Sequence, residues 1–260
     1  MMTIYSWNML FRNRELDRAF EFISKSDFDI FCLQEVPEEF LKRLQSLPCR
    51  IAYRIDVERL FKEGTVRNYV VILCKHPIEA QGEIPFPEYW PLLPLRTRLF
   101  VRCMPSRFFS QPRGRGGLFA DVRVPGVPKT MRVFNLHLVQ AHPAWRLKEF
   151  ETAMAERDSS RPTIVCGDFN TTQAPHISIL NWILGGRISD AALYNRERTH
   201  LERRFVEHAL TNALIGGITH PLSQSQLDHI LVSHSFTIKN AEVLPDRIGS
   251  DHHPICVEIA

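Results

Sequence analysis

The stretch "TIVCGDFNTT", Thr163 to Thr172, joins an apolar run directly to a polar turn. Its first four residues are suited to a buried strand, because they are β-branched or apolar. The next four, "GDFN", place the carboxylate of Asp168 and the amide of Asn170 where that strand ends. A lone aspartate or asparagine at a strand end is more often a turn residue than a catalyst. The stretch therefore predicts a strand and leaves the role of its polar end open.

The same pattern of an apolar run bounded by turn-forming residues recurs along the chain. The runs are "TIYSW", "DIFCL", "YVVILC", "LFADVRV", "RVFNLHL", "TIVC", "HILVS" and "PICVEI". Apolar residues at helical spacing predict helices within 16–23, 40–47, 147–154 and 179–184, the last one ended by Gly185. The proline-rich stretch "PFPEYWPLLP", 85–94, is interpreted as an ordered surface loop. Strands that alternate with helices predict a layered α/β fold.

Length and composition favour one large domain spanning residues 1–260, or two closely packed halves. The chain has 260 residues, of which 44% are hydrophobic and 23% charged, so it can bury a sizeable core. It contains no run of eighteen apolar residues, and its first residues lack the pattern of an export signal. The six cysteines show no CxxC spacing, which favours free thiols in a reducing compartment. We expect a monomeric cytoplasmic protein without membrane insertion.

The basic residues are concentrated in one segment. The net charge of +3 is too small to identify a partner, but seven arginines lie between Arg96 and Arg123 against one acid, Asp121. Arg113 and Arg115, in "PRGRGG", could bind a phosphate backbone, and Tyr89 and Trp90 could stack on an unpaired base. These features favour a nucleic acid partner. A solvated surface loop in a chain that generally prefers arginine to lysine is the alternative.

Several polar side chains stand at the ends of the predicted strands. They are Asn8, Glu35, His137, Asp168, Asn170, Asp228, Asp251 and His252. In layered α/β folds such ends converge on a crevice, so these side chains could line one pocket. Each has an ordinary alternative alone: a turn for the Asn and Asp residues, a first-turn charge for Glu35, a structural role for the histidines.

Together these residue types suit hydrolysis of a phosphate ester. Glu35, with Asn8 and Asp251, would hold Mg²⁺ or Mn²⁺ through hard oxygen ligands. Asp168 could orient or deprotonate a water, and Asn170 could donate its amide to the developing charge. A histidine paired with a carboxylate, His252 with Asp228, could stay protonated and bind a phosphate oxygen.

Six ordered motifs, "SWN", "DIFCLQEV", "FNLHL", "CGDFN", "LDHILVS" and "SDHHPI", resemble those of the endonuclease/exonuclease/phosphatase superfamily. Arg146, downstream of "FNLHL", belongs to the same likeness. The resemblance implies a four-layer α-β-β-α sandwich of two mixed β-sheets flanked by helices, the deoxyribonuclease I-like fold. It also implies Asn8 and Glu35 at the metal, Asp168 and Asn170 at the water and phosphate, His137 on the phosphate, and an Asp228–His252 pair.

Two positions depart from the pattern of deoxyribonuclease I and its relatives. Asn68 stands near where deoxyribonuclease I has a glutamate that partners the histidine of the "NLHL" motif, and we include Asn68 among the candidate substrate-binding residues. Gln226 stands where many relatives have an arginine. The chain resembles the branch of the superfamily that has a histidine in the "NLHL" motif. That branch includes nucleases, sphingomyelinases, inositol phosphatases and end-processing enzymes. We therefore expect an active nuclease or nucleic-acid end-processing enzyme, with a lipid or sugar phosphatase, or an inactive binding relative, as alternatives.

Overall fold

Two β-sheets pack face to face, with helices against their outer surfaces. The computed structural model describes residues 1–61, 64–103, 111–140, 142–172, 175–189 and 196–260. The strands are β1 (Met2–Asn8), β2 (Ile30–Pro37), β3 (Arg50–Phe61), β4 (Gly64–Cys74), β5 (Ile78–Pro85), β6 (Gln111–Arg113), β7 (Gly116–Val122), β8 (Met131–His137), β9 (Thr163–Asp168), β10 (Leu210–Asn212), β11 (Asp228–Ser233), β12 (Ile238–Val243) and β13 (Ile255–Ile259). The helices are α1 (Leu16–Lys25), α2 (Glu38–Leu44), α3 (Leu95–Cys103), α4 (Pro143–Ala155), α5 (Pro175–Ile183) and α6 (Arg196–Glu207).

Each sheet contains one parallel pair among antiparallel neighbours. The seven-stranded sheet has the order β12-β13-β1-β2-β4-β3-β6, with β1 parallel to β2. The six-stranded sheet has the order β10-β11-β9-β8-β7-β5, with β8 parallel to β9. Because parallel strands end at the same edge, each pair brings the ends of two strands to one side of its sheet.

Three hydrophobic clusters hold the layers together. Between the sheets, Ile4 and Val70 of one sheet and Ile164 of the other belong to one fully buried cluster. A second cluster packs α1 and α2 on the seven-stranded sheet, and a third packs α4 and α6 on the six-stranded sheet. This arrangement confirms the predicted four-layer sandwich of two mixed sheets flanked by helices.

The eight predicted strands correspond to β1, β2, β4, β7, β8, β9, β11 and β13, and the four predicted helices to α1, α2, α4 and α5. The arginine-rich segment differs from the loop considered as an alternative, because it contains most of α3 and the whole of β6 and β7. Arg107, which also belongs to that segment, lies outside the described residues. All six cysteines are free, and four of them are buried. In the described part of the chain, no helix has the length and hydrophobicity needed to span a bilayer.

Candidate active site

Strand register places three of the candidate residues side by side at one edge of the six-stranded sheet. In β9, Asp168 is the partner of His137 on parallel β8 and of Asp228 on antiparallel β11. The preceding residue, Gly167, has φ +142°, and a Cβ there would lie 1.8 Å from the carbonyl oxygen of Leu136. Only glycine fits this approach, so the "CGD" sequence is needed to bring Asp168 to the edge.

Asp168 is buried and its two oxygens have different neighbours. Its Oδ1 accepts a hydrogen bond from the backbone N–H of Asn170 at 2.8 Å. Its Oδ2 accepts one from Asn8 Nδ2 at 2.9 Å, which joins the ends of β9 and β1 across the two sheets. Asn170, with φ +52°, donates its Nδ2 to the carbonyl of Leu138 at 2.9 Å, so one of its two amide hydrogens holds the turn.

His252 lies on one side of Asp168 and pairs with Asp228. The His252 Nδ1 and Asp228 Oδ2 atoms are 2.8 Å apart, and both side chains are buried. The other ring nitrogen, Nε2, lies 3.8 Å from Asp168 Oδ2. The bond at Nδ1 fixes the ring orientation and aims Nε2 at the site.

His137 lies on the other side of Asp168 and pairs with an acid that the sequence motifs do not contain. Its Nδ1 is 2.6 Å from Oδ2 of Asp56 on β3, and its Nε2 is 3.9 Å from Asp168 Oδ2. Asp56 falls where the β3–β4 register shifts between Ile55 and Val57, so it is the extra residue of a bulge. Bulges re-aim side chains, and this one turns a carboxylate to the interior, where Asp56 is fully buried.

The two carboxylates keep both histidines charged. Burial would lower the pKa of His137, but the charge and hydrogen bond of Asp56, helped by Asp168 and Glu35, raise it to about 9. Burial likewise opposes a charge on His252, whereas Asp228 and Asp168 raise its pKa to about 10. At neutral pH two imidazolium groups therefore flank the Asp168 carboxylate.

Glu35 lies beside this group at the end of β2, with φ +55° in an irregular part of the β2–β4 pairing. Such a φ is strained for glutamate and marks a constrained side chain. Its Oε2 accepts a hydrogen bond from the backbone N–H of Phe11 at 3.0 Å. Its Oε1 lies 3.2 Å from Arg59 Nη2 and 4.0 Å from His137 Nε2. The side chain of Asn8 is held by the segment that contains Phe11, because its Oδ1 accepts a hydrogen bond from the Leu10 N–H at 3.1 Å.

The donor set fits a hard divalent cation at the Glu35 side of the site. Glu35 and Asn8 offer carboxylate and amide oxygens, which Mg²⁺ and Mn²⁺ prefer. Among the described residues, two groups have ligand atoms within 4.8 Å of one another, and both include His252: one adds His220 and Asp251, the other Asp168 and Asp228. His252 Nδ1 is already bonded to Asp228, which leaves one ring nitrogen, and hard cations prefer oxygen ligands to imidazole, so these groups fit such an ion less well. Asp251, the third predicted ligand, is half-exposed beside His220 and His252.

The five predicted substrate-binding residues lie in different surroundings. Arg113 is exposed on β6, whereas Arg115 points inward, where its Nη2 donates to the carbonyl of His137 at 2.8 Å and lies 3.4 Å from Glu149. Tyr89 is 6% exposed and stacks on Trp145 at 4.2 Å between ring centroids, and Trp90 is half-buried.

Asn68 is fully buried on β4, opposite Val57 and Pro37. Its carboxamide satisfies both atoms when Oδ1 accepts from Arg59 Nε at 3.2 Å and Nδ2 donates to the Arg67 carbonyl at 3.2 Å. It thus contacts the arginine that pairs with Glu35. At the other departure from the motif pattern, Arg198 of α6 donates to the side chain and carbonyl of Gln226.

Comparisons with known proteins agree with this architecture. A profile of the endonuclease/exonuclease/phosphatase family matches residues 5–252. A comparison with curated proteins finds no sequence match. A protein of that family from Beutenbergia cavernae has a similar structure, with 16% identity and a TM-score of 0.70 over 99% of this chain and 71% of the other. A mannosyl-6-phosphatase from Bacteroides thetaiotaomicron has 18% identity and a TM-score of 0.60, with 100% of both chains covered.

The fold is also similar to that of the 3′ phosphatase NExo from Neisseria, solved with a product DNA hairpin. The identity is 17% and the TM-score 0.61, with 100% of both chains covered. At these identities the structural likenesses concern the fold, and the profile match concerns the family.

Proposed function

This chain belongs to the endonuclease/exonuclease/phosphatase family, and we propose that it hydrolyses phosphodiesters with Mg²⁺ or Mn²⁺ as cofactor. One observation carries the proposal: a buried carboxylate oxygen, Asp168 Oδ2, has the Nε2 atoms of two charged histidines 3.9 and 3.8 Å away. A base for water next to two cations for phosphate oxygens is the arrangement that ester hydrolysis requires.

The residues then have distinct roles. Asp168, held by Asn8 and the Asn170 N–H, orients the attacking water and accepts its proton as the water oxygen bonds to phosphorus and the ester P–O bond breaks. His252 and His137 donate from Nε2 to phosphate oxygens, with Asp228 and Asp56 keeping each ring charged and oriented. The amide hydrogen of Asn170 that is not bonded to Leu138 is available to the same phosphate.

Glu35 and Asn8 would hold the cation, and the half-exposed Asp251 is the third candidate ligand. A bound Mg²⁺ or Mn²⁺ would neutralise charge on the phosphate and on the leaving oxygen. The hydrogen bond from the Phe11 N–H to Glu35 Oε2 fixes the orientation of the carboxylate group.

A nucleic acid is our proposed substrate. The exposed Arg113 on β6 and the acid-poor sequence around it favour a phosphate backbone, and a structural neighbour, NExo, was solved with a DNA hairpin. A small phosphorylated substrate is the second candidate. The inward positions of Arg115 and Tyr89 favour it, because both are withdrawn from the surface that would contact a long polymer.

A panel of substrates tests the proposal. The purified protein should be assayed with Mg²⁺, Mn²⁺ or excess EDTA against single-stranded DNA, duplex DNA, RNA, a 5′-adduct DNA, sphingomyelin, inositol polyphosphates and a sugar phosphate. We expect nuclease or end-processing activity that EDTA abolishes and that Glu35→Ala weakens most at low Mg²⁺. Full activity in EDTA would refute the metal mechanism. Turnover of a sugar or inositol phosphate alone would favour the second candidate.

A further inference from the structure

Arg59, which none of the sequence motifs contains, lies on β3 against the Glu35 side of the site. Its Nη2 donates to Glu35 Oε1 at 3.2 Å and its Nε to Asn68 Oδ1 at 3.2 Å. The guanidinium carbon is 4.5 Å from the centroid of the Phe11 ring. The side chain is 18% exposed, so part of it remains accessible to solvent.

The charge of Arg59 is balanced by Glu35, a carboxylate that is also the proposed metal ligand. Within the part of the chain that the structure describes, Glu35 is the one carboxylate that forms an ion pair with Arg59. Asp56 senses the Arg59 charge, but its Oδ2 is bonded to His137. Asn68 satisfies Nε without neutralising the guanidinium, because an amide carries no charge.

Arg59 and His137 approach the same atom. Arg59 Nη2 is 3.2 Å from Glu35 Oε1, and His137 Nε2 is 4.0 Å from it. A divalent cation bound by Glu35 would repel the guanidinium and weaken its ion pair with that oxygen. Arg59 would then need another anion, and a phosphate beside His137 offers two oxygens in the geometry that a guanidinium binds best.

We propose that Arg59 is a substrate-phosphate-binding residue that competes with the metal ion for Glu35. The inference rests on the proposed function, and it adds a coupling to it. With a cation held by Glu35, Arg59 would lose its ion-pair partner and its charge would become available, so that the metal ion and the phosphodiester would favour each other's binding. Removal of Arg59 therefore has opposite effects on the two ligands, whereas loss of a merely structural arginine would weaken both.

The first half of the test needs no turnover. Mn²⁺ should be titrated by calorimetry into substrate-free wild type and Arg59→Gln, with Arg67→Gln as the matched control. Arg67 is half-exposed on β4 and pairs with Glu58. We expect Arg59→Gln to bind Mn²⁺ about threefold to tenfold more tightly, because a competing cation has been removed, and Arg67→Gln to bind it as the wild type does. Unchanged or weaker Mn²⁺ binding by folded Arg59→Gln would overturn the proposal.

The second half measures the phosphate contact. Anisotropy of a short fluorescein-labelled single-stranded DNA in Ca²⁺ should give an affinity reduced about tenfold or more for Arg59→Gln, the scale of a lost charge-assisted contact. Arg59→Lys keeps the charge without the fork and should fall between the two. Equal affinity of the wild type and both variants would overturn the proposal. Reduced DNA affinity together with tighter Mn²⁺ binding would support it even if no hydrolysis were found, a result that would refute the proposed function alone.

Discussion

The two histidine–carboxylate pairs at the site have the same geometry and different origins. Asp228 stands at the start of β11 and His252 in the "SDHH" turn, and both lie in motifs that the sequence displays. His137 lies in such a motif too, but its partner Asp56 is a bulge residue of β3, in the other sheet. Both rings nevertheless present Nε2 to the same oxygen of Asp168, at 3.9 and 3.8 Å.

At this site the position of a charge in space is more constrained than its position in the chain. Asp56 on β3 is the carboxylate partner of His137, whereas deoxyribonuclease I has a glutamate for this role near the position of Asn68. Arg198 of α6 places a guanidinium beside Gln226, where many relatives have an arginine. In both places a neighbouring element supplies the chemical group. We expect the two histidine pairs to contribute alike to turnover.

The largest effect should come from the carboxylate that both histidines share. Asp168→Asn keeps the size of the side chain and removes its charge, so the water loses its base. Turnover should fall by about a hundredfold to ten-thousandfold, the usual contribution of general base catalysis. The measurement is kcat on the best substrate of the panel, with circular dichroism to verify the fold.

Asp27→Asn is the control for that substitution, because the Asp27 side chain is 99% exposed and lies outside the site. It should leave kcat unchanged. A folded Asp168→Asn enzyme within a few-fold of wild type would assign the base role to another group.

The next effect compares the two pairs directly through pH. In wild type both rings stay charged to high pH, because the pKa is about 9 for His137 and about 10 for His252. In Asp56→Asn or Asp228→Asn, burial that lowers the ring pKa is no longer offset by the adjacent carboxylate. A ring whose pKa returned to about 6.5 would be only about 3% protonated at pH 8, so kcat there should drop about thirtyfold. At about pH 6 the loss should be small, because the ring is mostly protonated again.

On the alkaline side of the profile of kcat against pH, both variants should therefore lose activity at a lower pH than the wild type, and by the same shift. If only Asp228→Asn shifts the profile, and Asp56→Asn lowers activity equally at all pH values, then Asp56 supports the fold and the two pairs are not equivalent.

The sequence predicts one pair and not the other for a physical reason. Strands buried on both faces, such as β2 and β9, are continuous apolar runs, and polar residues at their ends are conspicuous. In β3 polar and apolar residues alternate, and its inward-facing Arg54 and Asp56 look like the solvated face of a surface strand. A bulge cannot be read from such a pattern, because it depends on the pairing with β4. For the same reason the sequence does not indicate β5 and β12, in which many residues are exposed.

A third histidine has no carboxylate partner among the residues that the structure describes. His229 is fully buried, stacks on Phe169, and donates from Nδ1 to the Leu227 carbonyl if that nitrogen carries the proton. Burial and the charge of Arg198 lower its pKa well below the ordinary value, so it is neutral in the folded state. The unfolded chain takes up a proton there below about pH 6.5, so the free energy of unfolding should fall by about 2 kcal/mol at about pH 5.

His229→Phe removes this loss of unfolding free energy at low pH, and urea unfolding at about pH 7.5 and about pH 5 measures the difference. The stability of the variant relative to wild type should improve by about 2 kcal/mol between the two values. His137 and His252 act with the opposite sign, because their raised pKa values give stability that is complete below about pH 6.5 and is lost toward pH 9 to 10. They are present in both proteins and cancel. An unchanged difference would mean that His229 is protonated in the folded protein.

The smallest effect separates two arginines that stand two residues apart. Arg113 is exposed on β6, whereas Arg115 donates to the His137 carbonyl and lies against the buried Glu149. Arg113→Ala should raise the KM for DNA or RNA a few-fold and reduce the slope of its salt dependence by about one, because one phosphate contact is lost. A small chromogenic phosphodiester should be hydrolysed as by wild type.

Arg115→Ala is the contrasting variant. It leaves the buried Glu149 carboxylate without its cationic partner and removes the hydrogen-bond donor to the His137 carbonyl. Activity on both substrates and the midpoint of thermal unfolding should therefore fall together. The two variants thus distinguish a surface contact with polymer from an internal support of the site. Equal losses on polymer and small substrate for Arg113→Ala would place its effect in the fold or reaction centre and remove the main support for a nucleic acid substrate. A loss confined to the polymer for Arg115→Ala would mean that this arginine turns outward when the substrate binds.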